Sequence, residues 1–274
     1  MNTVITADTS ITADAVSLDV TILMALGARV GVQTWPVVLD LYPDTDDAVT
    51  AESIAADVDA AIAAHGLWDR DEPVGPMAVA LRVLSAPDRM IEVRIFGADG
   101  VRRVCIARRD NDHVVADRRG RSVRISVPDI TAIGEIGAVI SRLFDDAAPM
   151  RIDGFSTPAS ELADRLDRCG TGEDIADALH ACGAHAADAT ALAAALTAIR
   201  SRAEIVAVTR SDATVTQSSG ALAIFDTDRG RVVVSPSESP DGHVWSTMSP
   251  GTGHRIVQAV GLLIETLPGG WWSR

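Results

Sequence analysis

The chain has 274 residues and a formal net charge of −14, with 47% hydrophobic and 23% charged residues. That composition is globular and sized for one large or two small domains. All 24 basic residues are arginine, and the acidic balance argues against both non-specific nucleic-acid binding and adhesion to an anionic membrane, which need a basic surface.

Cys105, Cys169 and Cys182 are widely spaced and form no CxxC pair, which fits a reducing compartment. The N-terminus has no basic segment followed by an apolar one, so it does not read as a signal peptide. No apolar run reaches the roughly 20 residues that cross a bilayer. The expectation is a cytosolic protein with no membrane contact.

Residues 1–14 are rich in Thr, Asp and Ala and read as a flexible tail. Val16 and Leu18 alternate with polar neighbours, as in a short strand, and Asp19 is placed to cap a helix through "VTILMALGARV". "TWPVVLDLYP" is β-branched and reads as a strand. Ile54, Val58 and Ile62 recur at helical spacing, with Gly66 as the stop. "GPMAVALRVLSA" reads as a second helix, ended by Pro87.

The period then changes to two. "RMIEVRIFG", "GVRRVCIARR", "DHVVADRRG" and "RSVRISV" are four short strands, with "GADG" and "RRDND" as hairpin loops. Pro128 is expected to open the next helix, whose apolar positions are Ile133, Ile136, Ile140 and Phe144.

"DDAAPMRIDG" (145–154) marks a boundary, dividing the chain into halves 15–148 and 149–274. Three helices follow: "TPASELADRLDRCG", with Thr157 as cap and Pro158 in the first turn, then "TGEDIADALHACG" and "DATALAAALTAIR". Period two returns in "AEIVAVTR", "ALAIFDTD", "RVVVSPS" and "HVWSTMS". Pro250 is expected to open the last helix, with Ile256, Val260, Leu263 and Leu267 on its apolar face. Trp271 and Trp272 beyond it form either a packing lid or an exposed patch.

The halves share an order: helices, a four-stranded meander, then an amphipathic helix. Leu84-Ser85-Ala86 precedes Glu92-Val93 by the same interval as Leu196-Thr197-Ala198 precedes Glu204-Ile205. Together these point to an internal duplication. Meanders combined with helices give an α+β fold of two pseudo-symmetric halves, each built on an antiparallel sheet closed by an amphipathic helix.

Catalytic and ligand motifs are sparse. "SPGTGHR" (249–255) lacks the lysine of a phosphate-binding loop and the third glycine of a dinucleotide fingerprint. A helix entrance at Thr252-Gly253 still leaves open an anion-binding or small-molecule enzyme. Cys169, His180, Cys182 and His185 match no standard zinc spacing, and no nucleophile elbow is present. No metal or cofactor is expected. The loop "TRSDATVTQSSG" between two strands suits a binding surface instead.

Several turn and cap motifs recur in one order. They are Asp226 to Arg231, Asp241-Gly242, Pro250-Gly251-Thr252, and Leu267-Pro268 with Gly270 and Trp272. Upstream, Leu84, Pro87, Asp88 and Ala107-Arg108-Arg109 continue the pattern, as do "VSLDVTILMALGARV" and "WPVVLDLYP". In this the chain resembles the EspG family of type VII (ESX) secretion-associated chaperones over about residues 15–272. The resemblance implies a cytosolic, non-enzymatic adaptor of two pseudo-symmetric α/β halves. It also implies a partner, the apolar tip of a PE–PPE heterodimer; the sequence leaves open whether the chain itself is a monomer or a dimer. The implied binding surface is the central sheet and the C-terminal helical bundle, about 157–198 with 204–226. On it Leu192 and Leu196 form an apolar floor, Val206, Val208 and Val215 lie along the strand-loop-strand, and Arg210, Asp212 and Gln217 form a polar rim.

Overall fold

The computed structural model describes residues 15–42, 51–70, 72–211, 214–267 and 272. The expected tail at 1–14, and Trp271, lie outside them.

The first half runs β1 (Val16–Asp19), α1 (Val20–Arg29), α2 (Ala51–His65), a small ribbon of β2 (Trp68–Asp69) and β3 (Glu72–Pro73), and α3 (Gly75–Ser85). The meander β4 (Arg89–Gly97), β5 (Gly100–Arg109), β6 (Asp112–Arg119) and β7 (Ser122–Ser126) follows, then α4 (Ile133–Ser141). The second half repeats the order: β8 (Phe155–Pro158), α5 (Ala159–Leu166), α6 (Gly172–Ala181), α7 (Ala186–Leu196), β9 (Ile199–Ser211), β10 (Thr214–Gln217), β11 (Leu222–Thr227), β12 (Gly230–Glu238), β13 (Val244–Pro250) and α8 (Gly253–Glu265).

Both meanders join one 11-stranded sheet of order β1-β7-β6-β5-β4-β9-β11-β12-β13-β8, with β10 paired to β9. A pseudo-two-fold axis passes through the antiparallel β4–β9 pair, where Val93 faces Ile205 in register. It exchanges β5 with β11, β6 with β12, β7 with β13 and β1 with β8. The matching intervals in the sequence therefore mark the molecular centre.

Strand residues alternate between two faces. Ile91, Val93, Val104, Ile106, Ile205, Ala207, Ile224 and Val233 point to one face, beneath α4 and α8. These helices pack against each other so closely that a Cβ on Gly137 would lie 2.8 Å from the Val257 Cα. On the other face α1–α3 cover β5–β7 through Leu23, Leu26, Cys105, Ala116 and Ile125. There α5–α7 cover β12 and β13 through Leu162, Leu179, Leu192, Val232 and Met248. One arginine from each half holds the crossover between the halves. Arg102 pairs with Asp117 and donates to the Leu143 carbonyl at 2.7 Å, while Arg231 pairs with Asp226 and donates to the Asp145 carbonyl at 2.7 Å.

Several boundaries differ from the sequence reading. α4 starts at Ile133, not at Pro128, because the Glu135 carboxylate accepts the Thr131 and Ala132 N–H groups at 2.6 and 3.0 Å and fixes the first turn there. Pro250 ends β13, and Thr252 caps α8 through its hydroxyl on Arg255 N–H at 3.1 Å. Thr157 and Pro158 belong to the edge strand β8, paired with β13. Asp19 does cap α1, accepting from Thr21 N–H at 2.8 Å.

The expected strand at "TWPVVLDLYP" does not form. Residues Val37–Leu39 make one 3₁₀ turn, and Asp40 takes the left-handed conformation with φ 52°. Pro36 has no N–H for a ladder. The turn is held instead by ion pairs from Asp40 to Arg103 and Arg118 at 3.0 and 3.6 Å, and by Arg118 donating to the Leu39 carbonyl at 2.7 Å.

Candidate functional site

Between the two helical layers lies a strip of sheet that no helix covers among the described residues. The phase of β4 puts Glu92, Arg94 and Phe96 on this face, opposite the core residues Ile91 and Val93. On β9 the same phase presents Arg202, Glu204, Val206, Val208 and Arg210. β10 extends the strip, since Val215 pairs with Arg210 and Gln217 with Val208. Arg202 lies 4.7 Å over the Phe96 ring and 3.7 Å from Glu204, so the middle of the strip is an aromatic and charged surface.

At one end the strip deepens into a groove of about 260 Å³. Its wall is the turn Thr34–Val37 and the end of α3 at Leu84 and Ser85; its floor is Met90, Glu92 and Val208; Arg210, Val215 and Gln217 form the far side. Trp35 keeps the wall in place. Its ring lies against Gly27 of α1, where any Cβ would collide with it. Val37 and Val215, on opposite sides, are 77% and 58% exposed, unusual for aliphatic residues around a concave surface.

Glu92 is the anomaly in this groove. The residue is 9% exposed, and the Arg94 guanidinium stands 3.7 Å away, beyond hydrogen-bond range. Burial pushes its carboxyl above the usual carboxylate range, and Arg94 pulls the other way.

The structure thus brings Val206, Val208, Arg210, Val215 and Gln217 onto one face. It does not bring Leu192 and Leu196 there. Leu192 is fully buried among Leu179, Ala189 and Val232, and Leu196 packs half-buried against the same cluster. Leu192 therefore offers a partner no surface, because its side chain fills the core that seats α5–α7 on the sheet. Asp212 lies outside the described residues. The sequence reading missed Trp35, Val37 and Glu92. The signal for Glu92 was present: a charge in a central strand whose neighbours two residues away, Met90 and Arg94, share its face.

Other candidate chemistry finds structural uses. Gly251 N–H donates to the Arg231 carbonyl at 2.8 Å and the Thr252 hydroxyl serves the helix start, so the "SPGTGHR" segment closes a strand-to-helix corner. His254 and Arg255 are exposed on the first turn of α8. His180 Nδ1 bonds the Ala184 carbonyl at 2.9 Å, Cys169 bonds the Arg165 carbonyl, and Cys182 is buried. Among the described residues, no three His, Cys, Asp or Glu side chains cluster for a metal, and no helix is long and apolar enough to cross a membrane.

The chain is 29% identical over 278 residues to the ESX-3 secretion-associated protein EspG3 of Mycobacterium tuberculosis, covering 95% of this chain and 94% of that protein. It is 29% identical over 271 residues to the ESX-1 secretion-associated protein EspG1 of the same species, covering 95% and 91%. Its fold matches the M. tuberculosis type VII secretion system chaperone EspG5, solved in complex with a PE25–PPE41 dimer. The TM-score is 0.80 over 94% of this chain and 98% of that one, at 19% identity. The EspG family profile matches residues 20–261, which include both meanders, both helical layers and the uncovered strip: the chain belongs to the EspG family.

Proposed function

We propose that this chain is a cytoplasmic, non-catalytic chaperone of type VII secretion that holds the tip of a PE–PPE heterodimer on the uncovered central strip. The observation that carries this reading is the groove with Val37 and Val215 exposed on its two sides. EspG5, which shares the fold, was solved bound to a PE–PPE dimer. An apolar plug entering this groove would cover Val37 and Val215 and rest on the buried floor of Met90 and Val208, with Arg210 and Gln217 as rim. Val206 lies beside them on β9, and Leu192 and Leu196 support the helical layer from below. Fully burying an aliphatic side chain contributes roughly 1.5–3 kcal/mol. A few such anchors within a polar rim give micromolar to nanomolar binding, about 8–12 kcal/mol, with no reacting group.

The test is co-expression with PE–PPE pairs encoded near this gene. A stable ternary complex on size exclusion, lost when Val37 and Val215 are both changed to Asp, is the expected result. Failure of the wild-type chain to bind any of those pairs overturns the reading.

A further inference from the structure

We infer that Glu92 is a specificity-determining residue of the groove, and that it receives a hydrogen-bond-donating side chain beside the partner's apolar tip. The inference rests on the reading of the groove as the PE–PPE site. A carboxylate out of water is costly unless donors satisfy it. Glu92 is on the floor of a concave surface otherwise built from Trp35, Pro36, Val37, Leu84, Met90 and Val208. Among the described residues no hydrogen bond reaches its carboxylate, and the Arg94 guanidinium is 3.7 Å away.

Its pseudo-symmetric counterpart shows what the fold alone requires. The axis that pairs Val93 with Ile205 relates Glu92 to Glu204. The Glu204 side chain is 49% exposed, whereas that of Glu92 is 11% exposed. The fold holds a glutamate at this position without burying it. Glu92 instead lines the groove together with the wall from Thr34 to Val37. A largely buried carboxylate that lines a cavity and has unused lone pairs is arranged for a donor that arrives from outside. A purely apolar tip would leave it unpaired, so the carboxylate rejects such a tip as well as accepting a matched one.

The experiment compares wild type, Glu92→Gln and Glu92→Leu by calorimetric titration with a PE–PPE pair that the wild type binds, together with their melting temperatures. Removing a buried charge is expected to leave the melting temperature unchanged or raised, and to weaken binding tenfold or more in Glu92→Leu. Glu92→Gln sorts the donor class: a similar loss marks a cationic donor, and retained affinity marks a neutral one. If both variants bind within tenfold of a wild type that does bind, the inference on Glu92 is overturned while the groove stands. If the wild type binds no pair, the reading of the groove falls and takes this inference with it.

Discussion

Trp272 donates its indole N–H to His113 Nε2 at 3.2 Å, with the two rings stacked at a 26° interplanar angle. The contact joins the chain's C-terminal segment to the start of β6 in the first half. Both residues are nearly closed to solvent, at 1% and 4% exposure. Trp272→Ala is expected to cost about 3–5 kcal/mol, as large aromatic truncations in cores do. Urea denaturation would measure it, and a loss below about 1 kcal/mol would contradict the packing.

The same pair sets a pH dependence. His113 must leave Nε2 unprotonated to accept from Trp272. Burial, with Arg108 nearby, pushes its pKa below the ordinary histidine value. The unfolded chain therefore takes up the proton first as pH falls. This contribution to stability is complete above the unfolded value of about 6.5 and declines as pH drops through that value toward the folded pKa. His113→Phe should flatten the slope of unfolding free energy against pH in this window, whatever it does to absolute stability. An unchanged slope would assign the dependence to other groups.

Close helix packing predicts opposite effects for two glycines on one helix. Gly137→Ala places a methyl against the Val257 backbone and should destabilise by about 1–3 kcal/mol. A methyl on Gly134 would meet nothing within 4 Å, so Gly134→Ala should be neutral or gain up to about 1 kcal/mol of helix propensity. Melting curves of the two single variants decide it; equal effects would place the α4–α8 contact elsewhere.

Arg231 is 5% exposed, bonds both oxygens of Asp226 and lies 5.3 Å over the Phe144 ring. Asp226→Ala leaves that guanidinium buried without its carboxylate and should cost about 3–5 kcal/mol. Asp228, paired to Arg200 at the surface, should lose less than about 1 kcal/mol on the same change. Chemical denaturation of both variants gives the comparison, and similar losses would remove Arg231 from the clamp on the crossover.

Val37→Asp and Val215→Asp act where the side chains meet water, so each should change stability by under about 0.5 kcal/mol. Each should nevertheless weaken partner binding tenfold or more if the groove takes an apolar plug. Titration alongside a melting curve separates the two effects, and undiminished affinity in both variants would move the site away from this groove.

Period-two alternation in "RMIEVRIFG" and "RVVVSPS", and helical spacing in "GHRIVQAVGLLIE", made both meanders and the closing helices legible from the residues. The recurring interval that ends at Val93 and at Ile205 marks the pseudo-symmetric centre in the sequence as it does in the sheet. These features rest on local periodicity, which the side chains of one segment carry without outside help. Alanine-rich α7 was less transparent. Apolar on nearly every side, it hides its buried face, so Leu192 could be placed on the helix but not in the core.

The site depended on contacts between distant segments. Its strands were identifiable, but which of their faces stays bare depends on where the helices dock. Its wall was misread because Pro36 and the ion pairs from Asp40 to Arg103 and Arg118 override the β-branched composition of Val37 and Val38. Those partners come from β5 and β6, far along the chain, and no local pattern encodes them. The meanders, the main helices, their order and their duplication were written in the residues, because they follow from local spacing. The burial of Glu92 beside an exposed Glu204 came from the folded chain alone, because burial depends on what packs above a residue.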